Sequence, residues 1–410
     1  MNLYIFYESS RGAVYGIGTY IRELTVALVH CRINVTVVHI RSDKTKIQKE
    51  EIEGICHWYF PEPIREQRTT DYKKQNELYY INIVYLLRLR IEDKRELIFH
   101  LNSNRYGSLA DLLKKTFECR VITVVHYSDW GFSIYDNLPR LRTKLSDEKP
   151  NVFGVYLKKS FEEEKSLYSK MDRVICLSQY MMEILIHNYW IDASKIFFIP
   201  NGLTDVVNAR LGVEILRKKW KAPLKEKIIL FVGRMDDVKG VEYLIKAFRE
   251  VLQVYPKCRL VIAGSGSYDK YIKESQDICT KVTYTGFLDK EHLYEWYQLT
   301  DVGIIPSLFE PFGYVAVEMM MHSLPVVATA TSGLNEVVDN TCGLKVPLTV
   351  LPENVEIDIS LLAETILYLL KHPREARIMG RNGRKRYLKE YSSEVFRKNM
   401  LNFYTSLYDS

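Results

Sequence analysis

Short, largely apolar runs alternate with amphipathic helical stretches from one end of the chain to the other, and no other feature constrains the fold as strongly. In the first half the runs are Leu3–Tyr7, Val35–Ile40, Leu97–Leu101, Val121–His126, Arg173–Leu177 and Lys195–Ile199. In the second half they are Ile228–Val232, Arg259–Ala263, Lys281–Tyr284, Val302–Ile305, Val326–Thr329 and Leu344–Val346. A strand wetted on one face alternates apolar and polar residues, whereas a run without that alternation is covered on both faces, as parallel strands between helices are. The intervening helical patterns are 18–30, 108–117, 151–168 and 179–189, then 241–255, 268–279, 291–299, 314–322, 334–339 and 359–371. In the clearest of them Val241, Leu244, Ile245, Phe248, Val251, Leu252 and Tyr255 recur every three or four residues, and Pro256 marks the end.

Repeated βα units build doubly wound sheets, and 410 residues are too many for one ordinary domain. The expectation is therefore α/β with two Rossmann-like domains facing a central cleft. The polar stretch Thr204–Glu226 is the natural seam. Ligands of open parallel sheets bind beyond the C-terminal strand ends, so function should lie on loops facing the cleft. Two segments, 41–96 and 128–150, break the pattern. Their Tyr72, Tyr79, Tyr80, Tyr85, Trp130 and Tyr135, with Tyr127 just before the second, form either an aromatic platform for an acceptor or ordinary core and rim. The run Tyr79–Leu89 reads as a core helix rather than a membrane binder.

Composition excludes several classes. A chain 47% hydrophobic and 26% charged is neither disordered nor fibrous. Its longest apolar runs fall far short of the roughly 18–20 residues of a membrane span, and no secretory signal pattern opens it. None of the seven cysteines forms a CxxC or a zinc-type cluster, so reduced thiols in a cytoplasmic protein are expected. The net charge is +6, and 371–398 alone carries ten Lys and Arg against three acids. That stretch is either a solvated helical face or a peripheral contact with an anionic membrane or a phosphate-bearing acceptor. No nucleic-acid motif accompanies it.

Three loops carry candidate chemistry. Gly12-Ala-Val-Tyr15-Gly16-Ile-Gly18 follows the first strand and opens a helix, where glycines admit an anion to free amides. Ile21 stands where a Rossmann fingerprint needs a third glycine, so a nicotinamide site is disfavoured, and a plain tight turn is the alternative. Val232-Gly-Arg234-Met-Asp-Asp-Val-Lys239-Gly240 puts two cations after a strand, suited to phosphate oxygens or simply to solvent. Glu310-Pro-Phe312-Gly313-Tyr-Val-Ala-Val-Glu318 spaces two carboxylates eight positions apart around a helix N-terminus. Either acid, taken alone, is also an ordinary first-turn residue.

Together with Ile199-Pro-Asn-Gly202 and Ala263-Gly-Ser-Gly266, these motifs occur in an order that resembles the retaining glycosyltransferases of family 4, with their GT-B fold and E-x7-E motif. The resemblance implies an N-terminal acceptor-side domain over 1–205, a nucleotide-sugar donor domain over 206–393, and a C-terminal helix, 394–410, packed back on the first domain. It assigns the donor diphosphate to Arg234, Lys239, Gly16 and Gly18, ribose hydroxyls to Glu318, and sugar hydroxyls to Glu310 with amides around Phe312 and Gly313. It sets His126 close to the donor sugar, with Glu310 and His126 the catalytic candidates. Glu336, in a later Gly-x-x-Glu pattern, has a less defined contact. Tyr15, where many members have glycine, and Tyr127 fall on the acceptor side. The expected reaction moves a hexose-type sugar from a UDP- or GDP-sugar to a hydroxyl of a glycan, lipid-linked or peptide acceptor. No cofactor or metal is expected, because two cations and helix amides can stabilise the leaving group and the chain has no Asp-x-Asp. A nucleotide-sugar epimerase and a non-catalytic nucleotide- or glycan-binding protein are the alternatives.

Overall fold

The computed structural model describes residues 1–8, 16–29, 31–63, 72–207 and 212–408; of Tyr72 and Lys73 it describes the backbone. Two compact units result. The first takes residues 1–129, 147–202 and 393–410, and the second 130–146 and 203–392.

The first unit is built on an eight-stranded sheet. Its strands are β1 (Asn2–Glu8), β2 (Asn34–Ser42), β3 (Gln48–Ile52), β4 (Ile55–Pro61), β5 (Leu97–Leu101), β6 (Cys119–Val125), β7 (Arg173–Cys176) and β8 (Ile196–Phe198), in the order β3-β4-β2-β1-β5-β6-β7-β8. Every pairing is parallel except β3 with β4. That hairpin and the helix Tyr72–Arg90 occupy the segment that broke the sequence pattern. Glu53 and Gly54, at φ 52° and 78°, make its two-residue turn. β3 is an edge strand, and its charged sequence Gln-Lys-Glu-Glu hides it from an apolar-run search while protecting the open edge. The helix Tyr72–Arg90 contains the run Tyr79–Leu89 and sets one of its sides in the core, as that run predicts, with Tyr79 and Leu86 half-buried. Tyr80, Ile83, Val84 and Leu87 are buried, but Leu78, Ile81, Tyr85 and Leu89 are exposed.

The final helix, Ser393–Ser406, belongs to this unit. Tyr404 Oη lies 2.6 Å from His100 Nδ1, the Phe403 ring meets Phe197 edge-on at 5.0 Å, and Phe396 packs on Tyr20.

The second unit is a six-stranded, wholly parallel sheet in the order β11-β10-β9-β12-β13-β14. Its strands are β9 (Lys227–Val232), β10 (Cys258–Ala263), β11 (Val282–Gly286), β12 (Val302–Ile305), β13 (Val326–Thr329) and β14 (Gly343–Val346). A small antiparallel hairpin follows, β15 (Leu348–Val350) with β16 (Val355–Ile357). The helix Val241–Val254 buries the stripe its spacing predicts, against Ile229, Phe231, Leu260 and Ile262 of the sheet and Leu362, Ile366 and Leu369 of the helix Ile359–Lys371. Asp289 and Asp358 cap helices by accepting from the amides of His292 and Leu361.

The unit boundaries differ from a first domain over 1–205. Residues 130–146 pack with the second unit: Phe132 meets Phe309 edge-on at 5.0 Å, Asn137 donates to Leu351 O at 2.7 Å, and Ser332 donates to Asp136 at 2.6 Å. Leu203 is tied there too, its N–H donating to Tyr391 O and its carbonyl accepting from Tyr387. Side-chain contacts between segments so distant in sequence leave no local signature. The same packing answers the aromatic-platform reading. Trp130 and Tyr80 are buried core, Tyr135 packs on the second unit's core, and Tyr79 Oη spans Arg41 N and Phe60 O, so these four serve as core and rim.

Candidate functional site

Strand order reverses between β9 and β12, so the loops after these two strands leave in opposite directions and open a crevice at their C-terminal ends. Both loops carry candidate residues, Arg234 to Gly240 after β9 and Pro306 to Gly313 after β12. They are stitched together: Leu308 N donates to Val238 O at 2.8 Å. Gly240 sits at φ +67° with Pro306 O 1.8 Å from where a Cβ would stand, so no other residue fits without moving backbone. That approach delivers Lys239, whose Nζ lies 2.5 Å from Glu310 Oε2, both side chains mostly buried.

Gly313, at φ +101°, turns the chain into the helix Tyr314–Met321. The amides of Gly313, Tyr314 and Val315 have no intrahelical carbonyl and carry the positive end of the helix dipole. Leu334 Cδ1 would stand 2.9 Å from a Cβ on Gly313, and Leu334 N donates to Glu310 O at 3.2 Å, which holds the loop from the far side. Phe312 contributes through its backbone position. Its ring is buried against Tyr314 and Tyr391, at 5.4 and 5.9 Å.

Glu318 lies one turn into that helix and is 1% exposed. Its Oε1 accepts from Lys290 Nζ and its Oε2 from Tyr297 Oη at 2.9 Å. Neither partner was among the sequence candidates. Both lie on the helix Lys290–Leu299, seven positions apart and so on one face, the only signal that could have joined them. Arg234 pairs with Asp236 at 3.2 Å and lies over the Phe132 ring at 5.9 Å. Burial raises the Asp236 carboxyl above its ordinary range, against the pull of Arg234 and Lys239. The glycine loop after β10 is stitched to the one after β9, since Met235 N donates to Ser265 O at 2.8 Å and Gly264 leaves no room for a Cβ beside Gly233 O.

Glu336 lies in the short helix Leu334–Val337, and its carbonyl accepts from Arg386. Arg386 also pairs with Asp339, and Arg384 with Asp205. Two of the ten cations of 371–398 are thus spent inside the second unit. Among the described residues, no group of three or more His, Cys, Asp or Glu is arranged to hold a metal ion.

In the first unit the order reverses between β1 and β5. Gly16 and Gly18 form the first turn of the helix Gly16–Leu28, while Tyr15 lies outside the described residues. His126 ends β6. Its Nε2 lies 3.0 Å from Asn102 Oδ1, so that nitrogen carries the proton, and Tyr20 from the helix meets its ring edge-on at 4.9 Å. Burial pushes its pKa down to about 3, which makes His126 a neutral hydrogen-bonding group and a poor proton carrier near neutrality. Tyr127 beside it is pushed up to about 12, again by burial. Below them Glu164, unmarked in the sequence, is buried and held by Asn104 Nδ2 and the Asp129 amide, at 2.8 and 2.7 Å, and by Tyr189 Oη. Desolvation outweighs these donors and raises its pKa to about 7.

Two family descriptions match the chain. "Glycosyl transferases group 1" covers 212–386 and "Glycosyltransferase Family 4" covers 14–205. An uncharacterized glycosyltransferase of Methanocaldococcus jannaschii is 34% identical over 236 residues, 52% of this chain and 59% of that one. The chain spans about half the length of the curated relatives it matches. Sucrose-phosphate synthase from Thermosynechococcus elongatus superposes with a TM-score of 0.79 at 22% identity, covering 99% of both chains. The Anabaena protein HepE in complex with UDP-glucose does so at 0.74 and 15%, covering 99% of this chain and 100% of that one. These likenesses carry the GT-B fold. The two matches together span nearly the whole chain, which belongs to glycosyltransferase family 4.

Proposed function

We propose that this protein is a retaining glycosyltransferase that moves a hexose-type sugar from a UDP- or GDP-sugar to a hydroxyl acceptor without a metal ion. One observation carries the reading. The Lys239–Glu310 pair stands at the switch point of the second sheet, beside a helix N-terminus, with buried Glu318 one turn further along. A nucleoside diphosphate needs cations and amide donors for its phosphates, which Lys239, Arg234 and the amides of 313–315 supply. Its ribose needs a fixed acceptor, which Glu318 supplies while Lys290 and Tyr297 hold it. Glu310 then accepts from hydroxyls of the transferred sugar, and Lys239 shifts from Glu310 toward the phosphate.

In this mechanism the bond from the anomeric carbon to the diphosphate oxygen breaks as the bond to the acceptor oxygen forms on the same face. The acceptor hydroxyl proton passes to the leaving diphosphate. Lys239, Arg234 and the helix amides stabilise the charge that develops on that group. His126, neutral, serves as a hydrogen-bonding group for the donor sugar, and Gly16 and Gly18 bring backbone amides to the phosphates.

A thermal-shift panel of UDP, GDP and ADP and their glucose and mannose conjugates tests the reading, followed by donor hydrolysis. UDP-glucose leads the panel because HepE holds it. At a ligand concentration about 100 times Kd, linkage adds ~2.7 kcal/mol of stability. No stabilisation by any member would overturn the proposal. Full transfer by Glu310→Gln removes that residue's role, and loss of transfer on adding EDTA refutes metal independence.

A further inference from the structure

The helix Tyr72–Arg90 is apolar on two opposite sides. Its inner side buries Tyr80, Ile83, Val84 and Leu87. Its outer side exposes Leu78, Ile81, Tyr85 and Leu89, by 53, 47, 59 and 63%. These positions advance by three or four, so the four side chains form one continuous stripe along the helix. A surface helix ordinarily turns polar residues to the side away from its core, and one that is apolar all round is covered on both sides. No described residue covers this stripe.

The company of the stripe indicates what does. The other exposed side chains described on the helix are Lys74, Asn82, Arg88 and Arg90, and none is a carboxylate. Cations therefore bracket the stripe, and the amphipathic ring of Tyr85 lies within it. That pattern suits a helix lying in the headgroup layer of an anionic bilayer, its apolar side chains among the acyl chains and its cations at the phosphates. The helix Gly107–Thr116 packs against this one and turns Asp111, Lys114 and Lys115 outward, so the apolar stripe ends at its edge. We propose that the first unit docks on an anionic lipid surface through Leu78, Ile81, Tyr85 and Leu89. The inference uses nothing of the donor site and stands apart from the proposed reaction.

Flotation of the full chain with phosphatidylcholine vesicles, with and without phosphatidylglycerol, tests it. The wild type is expected to float with the anionic vesicles and to release them at high salt. Burying one large apolar side chain is worth about tenfold in partition, so Ile81→Ser with Tyr85→Ser should lower it more than about tenfold while the melting temperature holds, both positions being exposed. Arg88→Glu with Arg90→Glu should abolish the preference for anionic vesicles. Equal flotation with both vesicle types, no flotation of the wild type, or unchanged partition of the stripe variant would each overturn the proposal. A stripe variant that changes the oligomeric state of a wild type indifferent to vesicles would assign the surface to a second copy instead.

Discussion

Tyr297→Phe removes one oxygen atom, and that oxygen is the donor to Glu318 Oε2 at 2.9 Å. Both side chains are fully buried, so water does not replace the lost donor. Leaving a buried charged acceptor without its hydrogen bond costs ~1.5–3 kcal/mol. For a unit of this size each kcal/mol moves Tm by about 2–4 °C, so the variant should melt roughly 3–12 °C below wild type. Lys290 continues to hold Oε1, so Glu318 swings about one anchor instead of two. If that carboxylate binds ribose hydroxyls, nucleotide affinity should fall about tenfold, the worth of one such bond. Differential scanning calorimetry and titration calorimetry with the nucleoside diphosphate read the two effects. A double-mutant cycle with Glu318→Gln separates them from general packing damage, because Tyr297→Phe should cost at least ~1 kcal/mol less once the charge is gone. A melting temperature within error of wild type, or strict additivity in the cycle, would refute the claim that Tyr297 positions Glu318.

Gly240→Ala should destabilise the second unit by more than ~3 kcal/mol, since a left-handed backbone costs a side chain ~1–2 kcal/mol before its Cβ meets Pro306 O; chemical denaturation checks this, and a loss under ~1 kcal/mol would mean the loops yield easily. Glu164 titrates at about 7 in the folded chain, against an ordinary glutamate value in the unfolded one. The folded state then binds the extra proton, and stability falls as pH rises from about 4.5 to about 7, by ~3 kcal/mol in all. Glu164→Gln should flatten that fall, and parallel stability–pH curves for variant and wild type would contradict it. His126, with its pKa lowered to about 3, should show no imidazole titration by NMR between about pH 5 and 8; a midpoint near 6.5 would show that it is wetter than its surroundings indicate.

The order of βα units was legible because both periodicities are local. The run Ile228–Val232 and the stripe from Val241 to Tyr255 depend on neighbours within a few positions, and β9 and the helix after it appear where they predict. Of the hairpin β3–β4, the edge strand β3 was not legible, because an edge strand that must repel other edges carries charge where a core strand carries apolar residues, and the apolar run Trp58–Phe60 of β4 is short and set in a polar segment. Glu310, Glu318 and Lys239 were nameable from motif order alone. Lys290, Tyr297 and Phe132 were not, since each reaches its partner across a helix or from another segment.

By itself, then, the amino-acid sequence determined the fold class, the family and the loops that carry charged and glycine-rich chemistry. These rest on short-range patterning and on glycines whose backbone angles admit no substitute. Only tertiary structure decided that residues 130–146 join the second unit, that Glu318 is held by Lys290 and Tyr297, that Arg384 and Arg386 are spent on internal ion pairs, and that half of the apolar helix 72–90 faces outward. Each of these depends on which side chains meet across tens or hundreds of residues. Chain geometry settles that, and local composition does not record it.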